Sequence, residues 1–69
     1  MPAFIAKVHL QRPGDPVARN IGVKEIEGFA LEGEQVSFAH DREMVLGRLH
    51  AIDRTSDPPT IIVRLSPGE

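Results

Sequence analysis

The sequence predicts an all-β domain, a small antiparallel meander of about five strands that forms a barrel or an open sandwich. Three observations carry this prediction. Apolar and polar residues alternate with a period of two in several short segments. Turn sequences rich in proline and glycine separate these segments. Two apolar runs, 44–53 and 60–65, flank a polar loop with two prolines, which is typical of a β-hairpin.

The first predicted strand covers residues 3–11, where apolar and more polar residues alternate. Its predicted inner face consists of Phe4, Ala6, Val8 and Leu10. The Pro-Gly-Asp-Pro sequence at 13–16 then predicts a turn, because proline presets φ and glycine accepts a positive φ.

A second, weaker strand is predicted over residues 21–27, with Ile21 and Val23 on one face and Ile26 on the other. Glycines at its start and end favour bends. A reversal at Gly33 leads into a third strand, in which Val36 and Phe38 share a face.

The fourth and fifth strands are predicted over 44–53 and 60–65, with Gly47 as a bend or bulge in the fourth. The β-branched residues of the fifth favour a strand. An α+β alternative remains open, because Asp41 is a suitable cap for a helix at about 42–52. Gly47 disfavours that helix by about 1 kcal/mol relative to alanine. Residues 66–69 are expected to fray.

The order of apolar strand, polar turn, Gly-Arg-Leu-His-Ala-Ile, proline-containing turn and Ile-Ile-Val-Arg-Leu resembles the carboxy-terminal strands of Src-homology-3-like barrels. The resemblance covers roughly residues 31–65. It implies a fold type, a small curved barrel, and it carries no functional residues over to this chain.

Size and composition limit the classes of protein. Residues 1–69 are expected to form one small domain with a thin core, and small domains often gain stability by pairing with a copy of themselves. The chain has no cysteine, no apolar run long enough to span a membrane and no signal-peptide pattern, so we expect a cytoplasmic location. The net charge of −2 does not favour general nucleic-acid binding.

Catalytic and metal-binding patterns are weak, so we expect a protein that is not an enzyme and uses no cofactor. The glycines form no phosphate-binding loop, and the serines and threonines lie in no nucleophile motif. A metal-binding or catalytic domain would have to use His9, His40 and His50, whose spacing matches no known ligand pattern.

Single-stranded nucleic-acid binding by a small β-barrel is the main alternative function. Such barrels stack bases on aromatic side chains beside a basic groove. Here the aromatic residues are Phe4, Phe29 and Phe38. Arg48 and Arg64 are expected to stand side by side on paired strands, but nearby acidic residues balance the basic ones.

The favoured function is a small binding or accessory module that acts through protein–protein contact, with a homodimer as one form of that contact. The runs at 44–46 and 61–63 are apolar on both faces. Either a curved barrel buries both sides, or one side is exposed for a partner. The predicted site combines apolar contacts and arginine anchors: Leu46, Ile62 and Val63 with Arg48 and Arg64.

Overall fold

The computed structural model describes residues 2–65, and these form five β-strands and no helix. The strands are β1 (Ala3–Gln11), β2 (Arg19–Glu27), β3 (Gln35–His40), β4 (Glu43–Asp53) and β5 (Thr60–Arg64). The predicted all-β meander is therefore confirmed. The alternative helix at about 42–52 is wrong, because β4 runs through that segment. The expectation for 66–69 lies outside the described residues.

The five strands close into a barrel rather than an open sandwich. Each strand pairs with its sequence neighbour in the antiparallel sense, and β1 pairs with β5 in the parallel sense. The parallel closure follows from the strand number, because the first and last of five alternating strands run in the same direction. Closure leaves neither of these two strands as a free edge.

The core is a single cluster of nine buried hydrophobic residues contributed by all five strands. They are Ala6, Val8, Leu10, Ile26, Val36, Phe38, Leu49, Ile61 and Val63. The inner faces predicted for β1 and β3 are confirmed. For β2, Val23 and Ile26 lie on opposite faces as predicted, the first exposed and the second buried, but Ile21 also packs against the core and does not share the face of Val23, which corrects the prediction. A register shift opposite Val8 and His9 leaves Ile21 as an extra residue, so both Ile21 and Ile26 lean toward the core.

Gly47 is not a bulge, which corrects that part of the sequence-based prediction. It is buried and pairs regularly with Val36. A Cβ atom at this position would lie 2.6 Å from Cγ1 of Val63, so the absence of a side chain lets β4 and β5 approach closely inside the barrel. The irregularity in β4 lies further along, between Leu49 and Ala51, where His50 has no partner across the pair.

A two-residue turn joins β3 and β4 in a tight hairpin. Its two turn residues, Asp41 and Arg42, have φ values of 54° and 66°. Two successive left-handed residues are the mark of a type I′ turn, whose twist matches that of the flanking strands. The turn fixes the register of β3 against β4 and so determines which residues of β4 face outward.

Candidate functional site

The outer side of β4 carries two large apolar residues followed by an arginine. Met44, Leu46 and Arg48 alternate with residues that point toward the barrel interior. Met44 is 62% exposed and Leu46 is 59% exposed. We call this row of three residues, together with Arg64 on β5, the β4 face. It contains three of the predicted site residues.

Arg48 and Arg64 are direct cross-strand partners, as the sequence predicted. Side chains in such pairs have Cβ atoms only about 5 Å apart, and two like charges in this position destabilise a sheet. Each guanidinium is held by a neutral acceptor. Arg48 donates to the backbone oxygen of Gly33 at 3.1 Å, and Nε of Arg64 donates to Oε1 of Gln11 at 3.0 Å.

Neither arginine has a carboxylate partner within the described part of the chain. The single ion pair among residues 2–65 joins Nε of Arg19 to Asp15 at 3.3 Å, away from the β4 face. An arginine guanidinium has five N–H donors, so Arg48 and Arg64 retain donors that no group within residues 2–65 accepts. These free donors point to an anionic or carbonyl-bearing partner.

The two arginines border an open groove of about 570 Å³. We call it the arginine groove. The other residues that line it are Glu32, Gly33, Leu49, His50 and Leu65. Its walls are therefore a mixture of charged groups, backbone and aliphatic side chains, a composition suited to contact with another protein.

A second groove, of about 350 Å³, lies on the neighbouring part of the surface and is named here the Phe29 groove. Phe29, in the loop after β2, and Leu46, on β4, supply large apolar side chains to it. Two carboxylates, Glu27 and Glu34, also line it, while no basic residue does. The remaining lining residues are Pro2, Gly28, Gln35, Val36 and Ser37.

Gly28 explains why Phe29 lies at the surface. Its φ of 133° is rarely adopted by residues with a side chain, and a Cβ there would lie 3.0 Å from the backbone oxygen of Gln35. The chain therefore turns sharply away from β2 at this point, and Phe29 ends 57% exposed. The loop that follows is tied back to the barrel, because Arg54 donates to the backbone oxygen of Ala30 and Gly33 N donates to Leu49 O at 2.7 Å.

Val63 and Ile62 were predicted to contact a partner at the surface, but the structure buries the first fully and the second in part. Val63 is 0% exposed and belongs to the core, so its side chain is not available to a partner. Ile62 is half-buried. For β5 the curvature of the barrel hides the apolar run, whereas for β4 it leaves Met44 and Leu46 exposed.

Phe29 and Met44 are surface residues that the predicted site did not include. The signal for Phe29 was its position next to Gly28, outside any alternating segment.

The three histidines lie on three different strands. His9 is on β1, His40 ends β3 and His50 is the unpaired residue of β4. Within residues 2–65, no group of three or more histidine, aspartate or glutamate residues is arranged to hold a metal ion. Nδ1 of His40 is buried and makes no hydrogen bond.

Of the three phenylalanines, Phe38 is in the core, Phe4 is half-buried and Phe29 is exposed.

One carboxyl in the β4–β5 loop has a displaced pKa. Thr55 donates its side-chain hydroxyl to Oδ1 of Asp53 at 2.6 Å and its backbone N–H to the same oxygen at 2.9 Å. These two hydrogen bonds favour the ionised form and lower the pKa of Asp53 below its ordinary value of 3.8. The arrangement organises the loop after β4 and lies outside both grooves.

Comparison with known proteins gives no relative for this chain. No protein-family model, no curated protein and no solved structure matches it. Among the described residues, no helix has the length and apolar character needed to cross a membrane.

Proposed function

We propose that this protein is a small non-enzymatic binding module that contacts a partner protein through the β4 face. The observation that supports this proposal most is the cross-strand pair of Arg48 and Arg64, which forms no ion pair within residues 2–65 and lies next to exposed Leu46. Arginine, methionine and aromatic residues are enriched at protein interfaces. The β4 face and the adjacent Phe29 combine all three. The sequence-based expectation of a cytoplasmic location is kept as part of this proposal.

The expected contact has two components. Leu46 and Met44 would lose apolar surface to water on binding, which provides the favourable free energy. The arginines would orient the partner, because a planar guanidinium binds a carboxylate through two parallel hydrogen bonds. A partner segment with a carboxylate a few residues from an aliphatic or aromatic side chain fits this arrangement.

Selection from a displayed library of 12-residue peptides tests the proposal. We expect the immobilised protein to enrich peptides that contain both carboxylate and apolar side chains. Leu46→Asp and Arg48→Glu should abolish the enrichment. Val17→Asp is the matched control, because Val17 is 63% exposed but lies in the β1–β2 loop. No enrichment, or enrichment that the two β4 variants leave unchanged, would contradict a protein-binding role for this face.

The nucleic-acid alternative is measured with the same protein samples. Binding of a labelled single-stranded oligonucleotide at low salt, with a steep loss of affinity as salt increases, would support it. The electrostatics of the exposed aromatic residue oppose it. Phe29 shares its groove with Glu27 and Glu34, so a phosphate backbone that stacked a base there would meet two carboxylates. We therefore expect no oligonucleotide binding.

A further inference from the structure

The arginine groove and the Phe29 groove are neighbours of opposite character. Gln35, which lines the Phe29 groove, is the register partner of Arg48, which lines the arginine groove. The Phe29 groove has two carboxylates and no basic residue on its walls, whereas the arginine groove has two arginines and one carboxylate, Glu32. No ion pair within residues 2–65 involves Glu27, Glu34 or either arginine. The same surface therefore carries, at neighbouring positions, carboxylates and arginines that form no ion pair within residues 2–65.

We infer that the partner at the β4 face is a second copy of this chain, bound in a twofold-symmetric dimer. In this dimer, Arg48 of each copy enters the Phe29 groove of the other. The inference rests on the proposed function, because it uses the same face, and it names the occupant of that face.

The sheet geometry makes such an exchange feasible. Neighbouring strands lie about 4.8 Å apart, so β2 and β4 are separated by roughly 10 Å with β3 between them. Glu27, Ser37 and Leu46 form one row across these three strands. A twofold axis along β3 near Ser37 brings β4 of one copy over β2 of the other. Leu46 then lies over the position of Glu27, and Arg48 lies over the Phe29 groove, which Glu27 borders.

The contacts that Arg48 makes in this dimer are favourable. A guanidinium over the face of a phenylalanine ring gains a cation–π interaction within about 6 Å of the ring centre. The carboxylates of Glu27 and Glu34 border the same ring and supply acceptors for the remaining donors. Because the interface is isologous, every such contact is made twice.

A second copy satisfies more of the surface than an unrelated acidic partner does. An acidic peptide would pair with Arg48 and Arg64, but it would leave Glu27 and Glu34 without cations and would repel them. A twofold copy brings a cation to the carboxylates and a carboxylate to the cations in one step. This charge self-complementarity is the reason for choosing the homodimer over a heterologous acidic protein.

Sedimentation equilibrium over a concentration series from 10 µM to 1 mM, in low salt, tests the inference. We expect the wild type to approach the mass of two chains and no larger species. Arg48→Glu and Glu27→Arg should each weaken association at least tenfold, because each places like charges opposite one another in both halves of the interface. Lys7→Glu is the matched control, since Lys7 faces outward on β1 and should leave association unchanged.

Mixing the two weakened variants gives the sharpest result. In a dimer of Arg48→Glu with Glu27→Arg, the introduced carboxylate of one chain faces the introduced guanidinium of the other. The native Arg48 and Glu27 that remain also face each other. The mixture should therefore regain the wild-type association, whereas each variant alone should not. Since Arg48 also bonds Gly33, far-UV circular dichroism must show a native fold, and Leu46→Asp serves as a second variant that should weaken association.

A wild type that stays monomeric throughout the series would overturn the dimer, and so would a mixture that fails to recover. If peptide binding still depends on Arg48 in a monomeric wild type, the dimer is wrong and the proposed function stands. If neither self-association nor peptide binding depends on Leu46 and Arg48, both proposals fall.

Discussion

β4 and β5 approach closely at Gly47, and this position offers a direct test of how the two strands pack. Replacement of Gly47 by alanine adds one Cβ atom between β4 and β5. That atom would lie 2.6 Å from Cγ1 of Val63 and 2.9 Å from the backbone oxygen of Arg64. Carbon atoms pack without repulsion at about 3.5–4.0 Å. The two strands must therefore separate by about 1 Å, or Val63 must move within a filled core.

The loss of folding stability in Gly47→Ala can be estimated from these short contacts. Inserting one methyl group into a packed core costs about 1–3 kcal/mol, and two short contacts, one of them to backbone, place Gly47→Ala near the upper end. Alanine recovers about 0.5–1 kcal/mol, because it reduces the conformational freedom of the unfolded chain. We therefore expect a net loss of about 2 kcal/mol. For a domain of this size that corresponds to a decrease in Tm of about 8–16 °C.

Urea and thermal unfolding followed by far-UV circular dichroism measure the effect. Gly14→Ala is the control, because Gly14 has open space around it and a φ of 79°, so it reports backbone strain without a steric contact. A second protein, which carries Val63→Ala, separates the contact with Cγ1 of Val63 from the contact with the backbone oxygen of Arg64. In a Val63→Ala protein, which lacks Cγ1, Gly47→Ala should cost at least 1 kcal/mol less than in the wild type. An unchanged Tm for Gly47→Ala, or the same cost in both backgrounds, would refute the proposed contact between β4 and β5.

Two further substitutions test local features of the loops. Arg42→Gly should raise the Tm by about 4 °C, because a left-handed residue with a side chain costs about 1–2 kcal/mol and glycine removes most of it; a lower Tm would contradict the type I′ turn. The lowered pKa of Asp53 means that its hydrogen bonds to Thr55 stabilise the fold above pH 3.8 and are lost as the pH falls through the folded-state pKa. Asp53→Asn should therefore reduce the difference in Tm between pH 6 and pH 3, and an unchanged difference would show that this carboxylate does not contribute.

Local patterns predicted most of the strands because alternation is a local property. The inner face of β1 could be identified residue by residue, and the same pattern placed Val36 and Phe38 together in β3. Arg48 and Arg64 were expected on paired strands, but the loop between β4 and β5 does not by itself set their register. Continued from Asp53 opposite Thr60, the pairing would place Arg48 opposite Leu65, and the register shift at His50 brings it opposite Arg64. Sequence therefore anticipated three residues of the candidate site: Leu46, Arg48 and Arg64.

Features that depend on distant contacts could not be predicted in this way. No local pattern encodes the parallel pairing of β1 with β5, whose residues are about 50 positions apart. Exposure on β4 and burial on β5 depend on that closure, so Val63 and Leu46 were indistinguishable from sequence. Gly47 is also ambiguous, because a glycine in a strand marks either a bulge or a close contact. One signal was available for β2: Ile21 and Ile26 are five residues apart, and two inward residues at an odd spacing require a bulge between them.

Exposed apolar residues alone do not set the β4 face apart, because Ile5 and Val23 are exposed on the outer side of β1 and β2 as well. The difference is in the charges. On that surface Ile5 pairs with Glu25 and Val23 pairs with Lys7, so each apolar residue lies opposite a charge, and the two charges have opposite signs. On the β4 face the cross-strand charges have the same sign. Such an arrangement costs stability and is typical of a site retained for binding.

We expect one substitution, at Arg64, to change folding stability and peptide binding in opposite directions. Arg64→Gln removes one charge of the like-charged pair and retains a donor for Oε1 of Gln11. We expect the folded state to gain about 0.5 kcal/mol, or about 2–4 °C in Tm, while peptide binding at the β4 face weakens. Lys7→Gln, which removes one positive charge from the outer side of β1, should alter neither quantity. If Arg64→Gln lowers the Tm, the arginine pair contributes to the fold, and the argument that it is kept for a partner fails.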